Sequence, residues 1–417
     1  MPVTFQILKN PNFRLLVLTR MFTNMALQAL AVIIGWQIYQ LTDSPLMLGL
    51  IGLTEAIPAI IGSLFSGYVV DRSTPHYIYK WCVGVLVLNM AFLMVIGGEY
   101  LHLAPETLVP LLFLGIFVSG VARSFMMPSY FSIMPQIVDK KDYSAANAWT
   151  NTGFQISAIC GPILAGLVYG FYGVQSAWFL PISFMILGFL CVISFKNLRQ
   201  YEKFEQVGSA IQNIVEGWAF IIRNRMLLTI MSLDMFAVLF GGAVVLLPAF
   251  ADEILAVGPE GLGLLRTAPG IGAIFMALYF ALRPMKTFPL TRMLWAVTGF
   301  AVCMIGFGLS TSFYLSLFFL ALSGLFDTIS VIIRGTLKQI LTPDRMRGRV
   351  SAISSMFIIS SNEIGAFEAG LAARFMGLVP SVVFGGVVSL LVAGTTYVVT
   401  PDLRKKVFDE NTVVDDK

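Results

Sequence analysis

The sequence predicts an all-α membrane protein: twelve transmembrane helices forming two six-helix pseudo-symmetric bundles, with both termini in the cytoplasm. Three observations lead there. The composition is too apolar for a water-facing surface, the loops alternate strictly in charge, and one half of the chain echoes the other. Of the 417 residues, 57% are hydrophobic and 12% charged, and the mean hydropathy is +0.82. A soluble domain carries about 25% charged residues, so lipid must be the main solvent here.

A spanning helix needs roughly 20 apolar residues. The segments that satisfy this are 13–39, 46–70, 78–96, 108–134, 145–171, 177–195, 226–250, 262–282, 290–309, 313–340, 350–376 and 379–399. The first begins at Phe13 and is too long for the apolar core of a cleaved signal, so it reads as a retained helix. Pro58, Pro128 and Pro162 fall inside segments, where neighbouring helices can re-satisfy the freed backbone. The stretch 196–225 is the longest connection and separates an N-terminal bundle (1–195) from a C-terminal one (226–417). Its part from Ile211 to Ile222 is amphipathic and is expected at the membrane interface, as a tether between the halves.

The turns that follow odd-numbered segments (40–45, 97–107, 172–176, 251–261, 310–312 and 377–378) hold no Lys or Arg. The loops on the other side, with both termini, hold most of them, which sets that side in the cytoplasm. The net charge of +4 therefore reports topology, not nucleic-acid binding. Cys82, Cys160, Cys191 and Cys303 all lie in apolar runs and read as small hydrophobes, with no disulfide framework. No metal-ligand spacing and no G-x-x-x-x-G-K-[ST] phosphate loop occurs. The expectation is a chain without cofactor or metal and not an enzyme, driven by an ion gradient or passive.

The echo is GPILAGLVYGFYG (161–173) against GAFEAGLAARFMG (365–377). Gly161/Gly365, Ala165/Ala369, Gly166/Gly370, Leu167/Leu371, Phe171/Phe375 and Gly173/Gly377 coincide without a gap. Parallel repeats of this kind place a site near the midplane. Gly161, Pro162, Gly166, Gly365 and Gly370 form a helix-packing motif, since small residues let helices approach closely.

GYVVDRSTPHYIYK (67–80) resembles the G-x-x-x-D-R loop signature of the major facilitator superfamily, carried by Gly67, Asp71 and Arg72. The resemblance implies a cytoplasmic latch in which Asp71 caps a helix N-terminus of the other half, with Val350 and Ser351 at the start of the eleventh segment as the candidate. Further stretches are similar to the branch of enterobactin-type exporters and macrolide-type efflux pumps: NPNFRLL (10–16), MPQIVDKKDYSAANA (134–148), GPILAG (161–166), VEGWAFIIRN (215–224), LFGGAVVLLPAFA (239–251) and LTPDRMRGRVSA (341–352). GPILAG also resembles the antiporter signature of the fifth helix, with Ser157 in place of its upstream glycine.

Ionisable groups at membrane depth are costly and mark cavities or partners. They are Arg20, Glu55, Arg123, Asp234, Asp327, Arg334, Glu363 and Glu368, while Arg266 and Arg374 lie near segment ends and are expected to snorkel. At 1.5 Å per residue, Arg123 and Asp327 both lie about 21–22 Å from the outer ends of their segments. The resemblance implies that the first, fourth, seventh and tenth helices line a central cavity, so these two could face each other as a gate. Alternatively each pairs within its own half, Arg123 with Glu55; Asp234 with Arg334 is the corresponding pair in the second half. Arg20 sits low in its segment and is expected at the cytoplasmic rim.

Glu363 and Glu368 are five residues apart and cannot share a helix face. Glu363 is the expected proton site and Glu368 the expected hydrogen-bonding acid of a helix contact. Asn24 and Gln28 on the first segment, with Asn147, Asn151 and Gln155 on the fifth, could meet a substrate's polar groups. With these residues, the resemblance implies a monomeric secondary transporter of a bacterial inner membrane, in contact with lipid, a small-molecule substrate and protons. The expected activity is efflux of an amphipathic organic compound, drug-like or siderophore-like. Uptake or facilitated diffusion of a metabolite, or a sensor or lipid scramblase on the same fold, are the rivals.

Overall fold

The computed structural model describes residues 7–139, 142–196, 210–283, 285, 287, 289–343 and 346–405. Its principal elements are helices: α1 Pro11–Thr42, α2 Pro45–Arg72, α3 Pro75–Gly97, α4 Pro105–Ile137, a stretch Tyr143–Ile193, α7 Ala210–Arg223, α8 Arg225–Gly241, α9 Gly258–Leu282, α10 Leu290–Leu309, α11 Phe313–Ile340, α12 Arg347–Met376 and α13 Leu378–Val399. Eleven helical spans among the described residues are long and apolar enough to cross a membrane. One of them, Tyr143–Ile193, has 51 residues. Unbroken it would run about 77 Å, far beyond a hydrocarbon core of about 30 Å. Gly173 breaks it, at φ 78° and ψ 176°, a conformation that L side chains rarely adopt. The two pieces are α5 (143–172) and α6 (174–193), so among the described residues the membrane-length segments number twelve.

The expected single helix over 226–250 is also interrupted. α8 stops at Gly241, and Gly242 leads into a 3-10 turn, Ala243–Leu246, and then a π-type turn, Phe250–Ile254. The adjacent glycines and Pro248 weaken the regular ladder there.

The chain divides into two compact units. One comprises residues 1–43, 54–206 and 257–267, and the other 44–53, 207–256 and 268–417. In the first unit α1 packs along α5 and α6, and α3 packs against α4. Two asparagines of the NPN stretch tie helix ends together. Asn10 caps α1 by accepting from the backbone N–H groups of Asn12 and Phe13, and its Nδ2 donates to the Ile137 carbonyl at 2.9 Å. Asn12 Nδ2 donates to the Lys196 carbonyl at 2.6 Å and its Oδ1 accepts from the Lys196 N–H at 3.1 Å. Deeper in, Asn89 Nδ2 on α3 donates to the Gly115 carbonyl and to Ser119 Oγ of α4, both at 2.9 Å. These side chains satisfy or replace backbone groups that lipid would leave stranded.

In the second unit α10 packs between α11 and α13, and α8 packs against α12 and α13. A buried cluster around Leu227, Ile230, Met293, Leu337, Val350 and Ile353 joins them. The amphipathic stretch forms α7, which lies on α12. Gly217 lets the two backbones close, since a Cβ there would meet Arg349 Cβ and its carbonyl oxygen at 3.3 Å. The Trp218 and Phe357 rings meet at a tilt with centroids 5.3 Å apart, Glu216 pairs with Arg349, and Asn224 then caps α8 through the Leu227 N–H. The VEGWAFIIRN and RGRVSA stretches are thus two sides of one contact.

Candidate functional site

The repeated glycines occupy equivalent contacts. A Cβ on Gly161 would meet Gln28 Cβ at 2.8 Å and the Met25 carbonyl oxygen at 3.0 Å, so α5 rests directly on α1. Its counterpart Gly365 would meet the Leu239 carbonyl oxygen at 2.6 Å, so α12 rests on α8 in the same way. Gly166 faces the Pro259 carbonyl oxygen and Gly263 Cα, and Gly370 faces the Pro45 carbonyl oxygen and Gly49 Cα, with the Cβ positions 2.5–2.9 Å away. Both crossings set a glycine on a Pro-x-x-x-Gly turn, P-L-M-L-G at 45–49 and P-E-G-L-G at 259–263. The second of these echoes is visible only once the contacts are known. Ser157, where the antiporter signature has glycine, is fully buried, and its hydroxyl shares one proton between the carbonyls of Met21 (2.8 Å) and Gly153 (2.7 Å). It therefore stitches α5 to α1 rather than simply clearing space.

Glycines also assemble the first charge pair. Gly62 packs on Ser124, and Gly120 packs on Pro58 and the Glu55 carbonyl, drawing α2 and α4 together. Arg123, one turn beyond Gly120, then forms an ion pair with Glu55. The Arg123 side chain is 45% exposed and Glu55 23%, so the pair borders open space. In the second unit Arg334 of α11 pairs with Asp234 of α8, and these are 11% and 7% exposed. That pair is enclosed and ties two helices.

Asp327, two turns from Arg334 on α11, is half-buried and has no hydrogen-bond or ion-pair partner among the described residues. Glu363 is half-buried and engaged, with Oε2 3.2 Å from the place a Cβ would take on Gly52. Glu368 makes no hydrogen bond among the described residues, contrary to the bond expected of it across a helix contact. Gly365 and Gly370 close the helix contacts there with bare backbone, so no acid is required. Arg266 does not snorkel; its Nη1 donates to the Ala31 carbonyl on α1 at 3.3 Å.

The other surprise is Arg20. Its guanidinium turns onto aromatic rings, 4.5 Å above Tyr130 and 6.0 Å from Phe154. Arg20, Thr23, Asn24 and Leu27 recur on one face of α1, and Arg123, Met126, Met127 and Tyr130 on one face of α4. Together with Tyr79 and Phe154 they enclose a pocket of 170 Å³. The one-face spacing of Arg20 and Asn24 was readable in the sequence and is the signal that depth counting overlooked. Gln28 is held in the α1–α5 crossing, Gln155 is half-buried, and Asn147 and Asn151 are exposed. Gly67, Asp71 and Arg72 fall in the last turns of α2, where Arg72 is exposed; the surroundings of Gly67 and Asp71 lie outside the described residues.

The paired charges and the repeated helix crossings are those of an all-helical, multi-span membrane protein. The Major Facilitator Superfamily model matches residues 16–366, and the chain belongs to that family of secondary transporters and is not an enzyme. The chain is 23% identical over 397 residues to the enterobactin exporter EntS of Shigella boydii serotype 4 (strain Sb227), covering 95% of this chain and 93% of that protein. The EntS of Escherichia coli O157:H7 (strain EC4115 / EHEC) matches to the same extent. Among solved structures, a bacterial homolog of the human lysosomal transporter Spinster superposes with a TM-score of 0.73 at 13% identity, covering 93% of this chain and 96% of that one. A D-xylose-proton symporter does so with a TM-score of 0.72 at 12% identity, over 94% and 99%.

Proposed function

We propose that this protein exports an amphipathic organic compound in exchange for protons, by alternating access of two six-helix bundles in a bacterial inner membrane. Both termini face the cytoplasm and the working unit is a monomer. The observation that carries the proposal is Asp327. A coupling group must gain and lose a proton in each cycle, so it cannot be locked to a guanidinium. Asp234 and Glu55 are paired with arginines, and Asp327 has no such partner among the described residues. Glu363, engaged near Gly52, is the second candidate. The full-length similarity to an enterobactin exporter supports export as the direction. The latch residues Gly67, Asp71 and Arg72 serve the rocking of the bundles.

The test is transport into proteoliposomes under an imposed pH gradient. Asp327→Asn should abolish the gradient-driven component while the protein remains folded and monodisperse, and Glu363→Gln should reduce it. Unchanged gradient-driven flux in both variants would overturn the coupling assignment.

A further inference from the structure

We propose that the pocket around Arg20 is an anion subsite that holds an aromatic acid group of the transported compound. This rests on the reading of the chain as a transporter of an organic compound and names the chemistry of that compound's anchoring end.

The charges do not balance within the pocket. Arg20 and Arg123 bring two guanidiniums, and Glu55 neutralises one through its pair with Arg123. Arg20 has no acidic partner among the described residues. A cation in a partly enclosed intramembrane position is costly until an anion joins it. The Tyr130 ring lies 4.5 Å from the guanidinium carbon, and the guanidinium N–H groups make no hydrogen bond among the described residues, so they can grip a carboxylate by two bonds.

A second donor points the same way. Asn24, one turn from Arg20 on α1, has a buried Nδ2 with no hydrogen-bond partner. A buried donor left unpaired costs about 1–3 kcal/mol, and a bound oxygen would satisfy it. The rest of the wall is apolar and aromatic: Phe154, Tyr130 and the two methionines, whose flexible thioethers adapt to a ring. At 170 Å³ the pocket admits a ring-sized acid and not a whole drug-sized molecule, for which sites run about 300–1,000 Å³. It therefore anchors one end of a larger substrate.

The experiment uses the full-length protein in lipid nanodiscs without any gradient. Equilibrium binding is measured for 1-naphthoate, its neutral amide 1-naphthamide, and cyclohexanecarboxylate. The acid should bind about tenfold or more tightly than the amide, and the aromatic acid more tightly than the saturated one. Arg20→Gln should remove the preference for acid over amide, and Arg20→Lys should weaken it. Asn24→Ala, which breaks no internal bond, should weaken acid binding several-fold, and it decides the matter if Arg20→Gln does not fold. Equal binding of acid and amide overturns the proposal, as does an acid preference that survives in both Arg20→Gln and Asn24→Ala. Because no gradient is present, the result is separate from proton coupling. Acid selectivity in a protein without any proton response sinks the coupling and leaves the subsite, and the reverse pattern sinks the subsite.

Discussion

At the scale of residues, the two ion pairs differ in consequence because they differ in enclosure. Breaking the pair at 11% and 7% exposure with Asp234→Asn leaves Arg334 enclosed and uncompensated, a cost of about 3–5 kcal/mol. Replacing both members by apolar residues of similar volume should recover most of that stability. Glu55→Gln removes an acidic partner of Arg123, whose side chain is 45% exposed, and should cost less than Asp234→Asn. Thermal unfolding of the purified variants in one detergent checks all three; equal losses for the two single variants would show that enclosure is not the deciding factor. Helix depth anticipated the Asp234–Arg334 pair and offered Glu55 as one of two partners for Arg123, the other being Asp327. It was not enough for Arg20, whose long side chain turns onto Tyr130, nor for Arg266, which finds a carbonyl of α1. Depth fixes how far along a helix a group sits and leaves open which neighbour it meets.

At the scale of elements, the repeat is a packing device. Gly166 and Gly370 occupy matching crossings, so Gly166→Val and Gly370→Val should each destabilise by about 1–3 kcal/mol, and to similar extents. A variant tolerated at one position and ruinous at the other, in thermal unfolding, would show that the two crossings are not equivalent. The interfacial helix α7 offers a second check. Trp218→Ala removes the ring packed by Phe357 and should cost about 2–3 kcal/mol. Glu216→Ala touches only a half-exposed pair and should cost less than about 1 kcal/mol. Protease susceptibility of the linker region together with thermal unfolding reads both.

The existence and order of the spanning helices were legible because apolar runs and loop charges are written directly in the composition. Their interruptions were less so. Gly173 lies within a short polar turn that reads as a loop, and the structure makes it a single break in one helical stretch. Gly241 and Gly242 fall inside the expected segment 226–250, and the structure uses them to end α8. Glycine marks where a helix can break, and tertiary contacts decide where it does.

At the scale of the whole molecule, the protein is a Major Facilitator Superfamily transporter, and the proposed exchange assigns proton handling to Asp327, which has no partner among the described residues. Exchange has a definite sign. A proton entering must accompany each molecule leaving, so acidifying the compartment that receives the substrate should raise export, and alkalinising it should lower export. A facilitative carrier would respond to neither change.

The most direct test of the central claim follows the protons themselves. Proteoliposomes loaded with a pH-sensitive dye are given a gradient of a bound substrate and no initial pH gradient. The account predicts proton movement opposite to the substrate, lost in Asp327→Asn. Substrate flux with no change in internal pH would contradict it.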